Sequence, residues 1–535
     1  MKILITDELS KEGIEMLTKD GAIQVDVRPK ISQEELIKII GDYEALIVRS
    51  GTKVTAQVIE AGKKLRVVGR AGVGVDNVDV EAATRRGVLV MNTPAANIIS
   101  ASEHTMAMML AWARNIPSAD VSMKEGKWER SKFMGIELSG KTLGIVGIGR
   151  IGGEVAKKAK AFGMKLVGYD PFISQELAVK LGVRLLPLDK VLQESDIITI
   201  HAPLTPTTHH LIGKAQFDMM KPHAVLINCA RGEIVDENAL VEALETKRIA
   251  GAALDVFEKE PPKGSKLLTL PNVVLTPHLG ASTKEAQEKV SVEMAEHVKL
   301  FLLENKITNA VNAPISKVDP KVAPFIPIAE RLGSFCMQIV DGPVKKVEVE
   351  MHGEIANLDT KMVTVSALIG VLQNVTGETT NVINAISIAR EKGIQVVESK
   401  VDEAGLFTNM LVVRISSDGT KHEVRGTAFP SDQPRILGVD EFDLDMPLEG
   451  DFILTKHDDM PGMIGKIGNA LGSRKVNIAR MGVGRVGKLG RALMLISVDD
   501  PVDKTVLEEL RALQNFNEVR YITLSHMRTK EYMNI

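Results

Sequence analysis

Apolar and polar positions along this chain repeat with two different periods. Over residues 1 to about 95, short apolar runs (KILIT, IQVDV, ALIVRS, LRVVGRA, VLVMN) alternate with stretches such as Glu12 to Lys19 and Gln33 to Gly41, whose apolar residues recur at helical spacing. Strands interleaved with helices predict a parallel sheet wrapped by helices, because each parallel crossover needs a connection about a dozen residues long. Asn92-Thr93-Pro94 marks a crossover, and Ile99 to Arg114 reads as a long connecting helix.

A second alternating series runs from Leu143 to about Leu279 through LVGYD, DIITIHAPL, AVLINCAR, GAALDVF and VVLTPHL. It predicts a doubly wound sheet, in which ligands lie beyond the carboxyl ends of the strands. Thr283 to Leu303 is again helical, and NKITNAVNAPISKVDPKVAPFIP, with its four prolines, reads as a linker. Beyond it, helical runs (Ile328 to Val340, Val363 to Gln373, Asn381 to Gly393) mix with the strands KKVEVEM, MLVVRIS and HEVRGTAF. From Asp451 the order becomes β-α-β-β-α-β, that of a small ferredoxin-like module. The expected fold class is therefore α/β: two Rossmann-like doubly wound domains, then an α+β domain, then the ferredoxin-like module. The expected boundaries are 1–97 with 283–310 for a discontinuous first domain, 98–282 for the second, 315–447 for the third and 450–535 for the last.

The strand Thr142 to Val146 leads into Gly147, Gly149 and Gly152, a G-x-G-x-x-G at the start of a helical pattern. In the dinucleotide-binding order the first glycine permits the tight turn, the second lets the backbone approach a pyrophosphate, and the third allows close helix-to-strand packing. The helix N-terminus then offers free N–H groups to the phosphates. The next strand, Lys165 to Tyr169, ends in Asp170, where a carboxylate would accept hydrogen bonds from ribose hydroxyls and repel a 2′-phosphate. NAD is thus favoured over NADP. A glycine triplet alone fits a structural turn equally well; the strands, helix and terminal acid shift the balance.

At 535 residues, three or four domains are expected at about 150 residues each. With 44% hydrophobic and 25% charged residues the composition is that of an ordinary globular protein, and a net charge of −3 gives no electrostatic reason to expect nucleic acid or an anionic membrane. Two cysteines, Cys229 and Cys336, make a disulfide framework improbable and fit a reducing cytoplasm. The N-terminus meets Asp7 and Glu8 before a signal-peptide core could form, and no segment has the apolar length of a membrane span.

Three residues of the second series suggest chemistry: Arg231 in NCARGEIVDE, Glu260 in DVFEKEPP and His278 in TPHLGAS. Oxidising a secondary alcohol needs a base for the hydroxyl proton, a hydride acceptor and a cation for a substrate carboxylate. Histidine suits the first role and an arginine fork the last, while a glutamate beside the imidazole would raise its pKa and hold one tautomer. Singly, His278 also fits a turn histidine, Arg231 a surface cation and Glu260 a solvated loop acid. Their succession at strand ends favours the joint reading.

Carried by RSGTKVT, GRAGVGVDNVD, NTPAANIISASEHTMAMMLA, VGIGRIG, NCARGEIVDE, ALDVFEKEPP and TPHLGASTKEAQ, the chain resembles the D-isomer-specific 2-hydroxyacid dehydrogenases, and among them the long-form phosphoglycerate dehydrogenases. The resemblance implies NAD-dependent oxidation of 3-phospho-D-glycerate, the entry step to serine. It assigns Arg231 to substrate carboxylate binding, Glu260 to pairing with the histidine and His278 to acid–base catalysis. Around NAD it places Arg150, Ile151, Asp170, Ala202, Cys229, Ala230, Asp255, Gly280 and Ala281, with the three glycines, Arg231 and His278; Cys229 is then a pocket wall. Arg49, Ser50, Lys53, Gly72 in the Gly69 to Gly74 loop, and Asn97 resemble its substrate-contacting positions. For Lys53 a solvated surface role is an equal alternative, as it is for Arg130 and Lys132, which could also reach the anion across a dimer interface.

The last module resembles an ACT domain, in which His457, Asp459 and Asn477 match residues that bind serine in serine-sensing relatives. Homodimerisation through the nucleotide domain, and from there a tetramer, is implied as well. Two rival functions stand beside this one: a dehydrogenase for an unphosphorylated 2-hydroxy acid such as glycerate, and a non-catalytic NAD sensor on the same fold.

Overall fold

The computed structural model describes residues 1–19, 21–313, 318–376, 380–429, 433–487 and 490–524. The middle of the expected linker (314–317) and the end of the last expected domain (525–535) lie outside the described residues. Among those described, the strands form four sheets.

The first sheet is wholly parallel, with β1 (Lys2–Ile5), β2 (Gln24–Val27), β3 (Ala45–Val48), β4 (Val67–Arg70) and β5 (Leu89–Asn92) in the order β2-β1-β3-β4-β5. Its central strands are apolar on both faces because both are covered, so they read as continuous hydrophobic runs. Helix Lys284–Glu304 lies against one face and packs on helix Lys11–Thr18, β4 and β5. It buries Val290, Met294, Ala295, Val298 and Leu302, at about 1.5–3 kcal/mol for each large side chain. Gly69 of β4 faces this helix: a Cβ there would fall 2.5 Å from the Met294 sulfur.

The second sheet is also parallel: β6 (Thr142–Val146), β7 (Lys165–Tyr169), β8 (Arg184–Leu185), β9 (Ile197–Ile200), β10 (Val225–Asn228), β11 (Gly251–Leu254) and β12 (Val273–Leu275), in the order β12-β11-β10-β9-β6-β7-β8. The order reverses between β6 and β9, which opens a crevice at the strand ends. Helix Ile98–Ala113 connects the two lobes and packs along β10, β11 and β12.

The third sheet is mixed and has six strands: β13 (Lys346–Gly353), β14 (Gln395–Val401), β15 (Asn409–Ser416), β16 (Lys421–Phe429), β17 (Gln433–Val439) and β18 (Phe442–Pro447). Sequence patterning finds only β13, β15 and β16. β14 is a largely solvated edge strand, β17 has an irregular register between Ile436 and Gly438, and β18 carries two aspartates and ends in proline. None of the three has an apolar period long enough to be recognised.

The fourth sheet follows the expected β-α-β-β-α-β sequence: β19 (Asp451–Asp458), β20 (Ile478–Val486), β21 (Arg491–Val498) and β22 (Phe516–Thr523), in the order β20-β21-β19-β22. Helices Phe325–Ile339 and Lys361–Thr376 pack on each other, and the first of them also reaches β22. Phe335 meets Phe452 edge-on at 6.1 Å. One continuous buried cluster runs from Ile3 and Ile5 through Met294, Phe325 and Val349 to Phe452 and Leu493.

Candidate active site

Three carboxyl ends of the second sheet converge with the loops of the first. At the end of β6, Gly147 (φ 90°) lies against β9, so that a Cβ there would sit 2.7 Å from the Ala202 nitrogen. Gly152 has no more room, since its Cβ would meet the Gly147 carbonyl oxygen at 2.1 Å. Gly149 differs: it is the N-cap of helix Arg150–Ala161, and a Cβ there would meet nothing within 4 Å. Two glycines therefore serve the protein's own packing, and the third faces open space at a helix N-terminus, where a pyrophosphate can approach. Arg150 is exposed at that helix start, and Ile151 is half-buried. The Asp170 carboxylate accepts the Ile148 N–H at 2.7 Å and the Phe172 N–H at 2.8 Å, fixing the acid beside the turn.

After β10, Asn228 shapes the next turn: its Oδ1 accepts the Ala230 N–H at 3.0 Å and its Nδ2 donates to the Arg231 carbonyl at 2.9 Å. The Cys229 thiol is pushed up to about 12 by burial and by the nearby Asp255 charge, so it is neither thiolate nor nucleophile at neutral pH. Arg231 crosses the cleft. Its Nε donates to Asp76 Oδ2 at 3.0 Å, and its guanidinium occupies the space that a side chain at Gly74 would need, 1.8 Å from the ideal Cβ position.

His278 lies in the loop after β12 with φ 55°, a left-handed conformation held by its N–H to the Asp255 carbonyl at 2.8 Å. Its Nδ1 is 2.8 Å from Glu260 Oε2. That hydrogen bond raises the imidazole pKa; burial works against it, the Glu260 and Asp255 charges reinforce it, and Arg231 opposes it. Burial pushes the Glu260 carboxyl up, but the His278 hydrogen bond and charge, with the Phe257 N–H, outweigh it and leave the group below its ordinary value. Such a pair can take up and release a proton near neutrality with its tautomer fixed, Nε2 being the free nitrogen.

Asp255, 1% exposed, accepts the Thr276 hydroxyl at 2.6 Å, the Leu279 N–H at 2.7 Å and the Gly280 N–H at 2.8 Å. Its carboxylate thus faces the loop that carries His278, and His104 Nε2 of the connecting helix lies 3.1 Å from its Oδ1. Ala281 follows that loop and is half-buried.

From the first lobe, the Arg49 loop is built by residues that sequence reading does not single out for the site. Asp7, beyond β1, accepts the Arg49 N–H at 2.6 Å and the Thr52 N–H at 3.1 Å; Asn77 donates to the Arg49 and Thr52 carbonyls at 2.6 Å each. Ser50 and Lys53 are exposed on the loop. Arg70, at the end of β4, is a further omission. Burial lowers its pKa to about 10, with Arg231 and Arg49 adding to the shift, and its buried Nε has no hydrogen-bond partner. Its guanidinium fills the space beside Gly72, 1.5 Å from where a Cβ would be. Asn97 presents another unpartnered buried atom, Oδ1, at the start of the connecting helix. The signal that finds Arg231 and Asp255, a charged residue at or within three residues of a strand's carboxyl end, also finds Asp7 and Arg70. Lys132 pairs with Glu129 at 2.6 Å on an exposed surface, and Arg130 beside it is exposed.

In the fourth sheet the three expected effector residues do not meet. His457 pairs across to Ala492, which pairs to Arg485; Asp451 pairs to Val498, which pairs to Ile478. Asn477 is therefore at the opposite end of the sheet from His457, about 20 Å along the strands, and its amide donates to Asp499. The His457 ring is 3% exposed and lies 5.4 Å from Phe516; burial lowers its pKa. Asp459 pairs with Arg485 at 3.5 Å.

Comparison with known proteins matches residues 106–280 to the D-isomer specific 2-hydroxyacid dehydrogenase NAD binding domain, 321–440 to the D-3-phosphoglycerate dehydrogenase intervening domain and 452–515 to the ACT domain. The D-3-phosphoglycerate dehydrogenase of Archaeoglobus fulgidus is 45% identical over 531 residues, covering 98% of this chain and 100% of that one. That of Bacillus subtilis is 41% identical, covering 98% and 99%. Among solved structures, the TT0316 protein of Thermus thermophilus aligns with a TM-score of 0.54 at 36% identity, over 58% of this chain and 100% of its own. A NAD-dependent formate dehydrogenase from Staphylococcus aureus in complex with NAD aligns at 0.53 and 31%, over 58% and 99%.

Proposed function

The chain belongs to the D-3-phosphoglycerate dehydrogenases, within the D-isomer-specific 2-hydroxyacid dehydrogenases, and on that premise we propose that it oxidises 3-phospho-D-glycerate to 3-phosphohydroxypyruvate with NAD. The observation that carries the reading is the 2.8 Å pairing of His278 with Glu260 at the edge of the NAD sheet, facing an arginine that spans the cleft. Bound NAD supplies the hydride acceptor. Gly149 and the start of helix Arg150–Ala161 take its pyrophosphate, and Asp170 its adenosine ribose.

His278 Nε2, in neutral imidazole, takes the proton of the substrate hydroxyl as the C2 hydrogen departs as hydride. Glu260 stabilises the imidazolium that forms, and returns it to the same tautomer when the proton leaves. Arg231 releases part of its hold on Asp76 to grip the substrate carboxylate as a fork. The far end of the cleft, with Arg49 and the incompletely hydrogen-bonded Arg70, receives the phosphate; this cationic density favours a phosphorylated substrate over glycerate.

Two further assignments belong to the same proposal. The chain forms a homodimer: Ile116, Val121, Met123, Trp128 and Met134, each more than half exposed, offer an apolar surface beside the connecting helix for a second copy. L-serine regulates it through the last module. β20 is an edge strand, and antiparallel pairing with its own copy would bring the partner subunit's Asn477 to the same end of the joined sheet as Asp459. Two free cysteines, and the lack of any helix among the described residues long and apolar enough to cross a membrane, accord with a cytoplasmic location.

The test is reduction of NAD by the purified protein with 3-phosphoglycerate, set against glycerate. His278→Ala should lose nearly all turnover while NAD binding survives; a variant with near-wild-type turnover overturns the assignment.

A further inference from the structure

The connecting helix Ile98–Ala113 does more than join the lobes. It lies along β11 and β12 and is pinned at both ends of those strands. Near their starts, Trp112 Nε1 donates to the Asn272 carbonyl at 3.1 Å. At their ends, His104 Nε2 is 3.1 Å from Asp255 Oδ1 and 3.1 Å from the Thr276 hydroxyl. The spans agree: eight helical residues rise about 12 Å, and the four strand steps from Gly251 to Asp255 cover about 13 Å.

Asn97, Ala101, His104 and Met108 fall on one face at helical spacing. Thr276 touches two of them, with its hydroxyl 3.5 Å from the Met108 sulfur as well as 3.1 Å from His104. The helix thus begins at Asn97, whose buried Oδ1 has no hydrogen-bond partner, and two turns later meets the loop that carries His278. Much of that loop is tied to Asp255: Leu279 and Gly280 donate to its carboxylate, and the His278 N–H, in a left-handed conformation, donates to its carbonyl at 2.8 Å.

We infer that His104 is a positioning residue for the proposed reaction, holding the Asp255 carboxylate, and through it the 276–280 loop, so that His278 keeps its orientation in the cleft. The inference rests on the dehydrogenase reading above for its effect on rate, but not for its effect on the loop. An Nε2–H shared between a buried carboxylate and a hydroxyl supplies one of the donors that make burial of that charge tolerable. Remove it, and Asp255 draws in water or turns, and the loop loses its fixed register. Displacement of a catalytic group by about 1 Å costs on the order of a hundredfold in rate.

The test compares His104→Leu, which removes the donor, with His104→Gln, whose amide nitrogen can stand in for Nε2. Hydrogen–deuterium exchange of the 276–281 segment, in the protein without substrate, reads the loop directly. It should quicken in His104→Leu and return toward wild type in His104→Gln. Steady-state kinetics should show kcat lowered about ten- to a hundredfold in His104→Leu, with KM for phosphoglycerate and the dissociation constant of NAD within about threefold of wild type, and most of the rate recovered in His104→Gln. Unchanged exchange in His104→Leu, a kcat within twofold of wild type, or a glutamine variant as impaired as the leucine one overturns the inference. If wild-type protein fails to oxidise phosphoglycerate, the function falls and the exchange result alone decides for or against His104.

Discussion

Replacing Glu260 with glutamine keeps the shape of the His278 pair and removes its charge, which makes the consequence calculable. Nδ1 and Oε2 are 2.8 Å apart, so the charge centres lie about 4 Å apart, where two unit charges interact by about 1 kcal/mol in water and about 4 kcal/mol at an effective dielectric of about 20. The side chains are 47% and 39% exposed, which places the pair near the lower end; about 1.4 kcal/mol corresponds to one pH unit. In the wild type the imidazole pKa is raised, so the neutral base appears only as the pH climbs through that raised value. In Glu260→Gln the rising limb of kcat/KM for NAD reduction should move about one pH unit toward acid, and the plateau should fall because the imidazolium is no longer stabilised. Stability follows the same linkage. The raised histidine contributes below its ordinary 6.5 and loses that contribution as the pH rises through the folded value; the lowered glutamate contributes above its ordinary 4.5 and loses it as the pH falls. The melting difference between wild type and variant should therefore be widest between those two values. The assay is a pH series of initial rates followed by NADH absorbance, with melting curves at matched pH. A limb that stays in place, or moves toward alkali, refutes the pairing as the source of the raised pKa.

Gly149→Ala and Gly152→Ala should separate binding from folding. The first side chain enters open space, so the melting temperature should hold while KM for NAD rises at least tenfold; the second meets the Gly147 carbonyl at 2.1 Å and should cost about 1–3 kcal/mol in a denaturant titration. Arg49→Ala should lower kcat/KM for phosphoglycerate by about ten- to a hundredfold, the worth of one hydrogen bond to a charged group, with any activity on glycerate little changed; equal losses on both substrates would remove Arg49 from the phosphate pocket. Asn477→Ala should abolish any effect of serine on rate or melting temperature while leaving turnover without serine intact, and persistence of the effect would exclude the edge-paired site.

The glycine turn is legible in the sequence because its requirements are local: a strand, three glycines and a helix within twenty residues, and nine residues further on an acid that receives the Ile148 N–H. Arg231, Glu260 and His278 are legible for a related reason, since strand ends are where such sheets place chemistry. Other parts of the site depend on distant pairing. Asp7 acts on an N–H 42 residues away, and Arg70 becomes unusual only because the Gly72 backbone folds over it and leaves its Nε without a partner. Asp255 shows the opposite limit. Its position beyond β11 suggests a ligand contact, but gives no sign that its carboxylate also turns inward, toward the Thr276 hydroxyl, the Leu279 and Gly280 N–H groups and the His104 ring. Position along a strand tells which residues reach the cleft edge, not which way each one turns.

That inward turn bears on how the four units can communicate. The buried cluster that includes the third and fourth sheets also includes the first sheet and helix Lys284–Glu304, but none of the strands β6 to β12. Side-chain contacts follow the same division: Asn381 donates to the Gly87 carbonyl at 3.0 Å, and Asn312 accepts the Val90 N–H at 2.8 Å while donating to the Val88 carbonyl at 2.9 Å. The third unit therefore touches the turn before β5, and Asn92 at the end of β5 donates to the Val73 carbonyl at 2.6 Å in the Gly69 to Gly74 loop. From there three routes cross to the second lobe: the Arg231–Asp76 bridge, the helix from Asn97 to His104, and the chain that runs from the 276–281 loop into helix Lys284–Glu304. The bridge is exposed at one end, with Asp76 61% accessible. The connecting helix buries one face, from Ser100 to Ala113, and is held at both ends of β11 and β12 by Trp112 and His104, so it joins the lobes without an exposed ion pair.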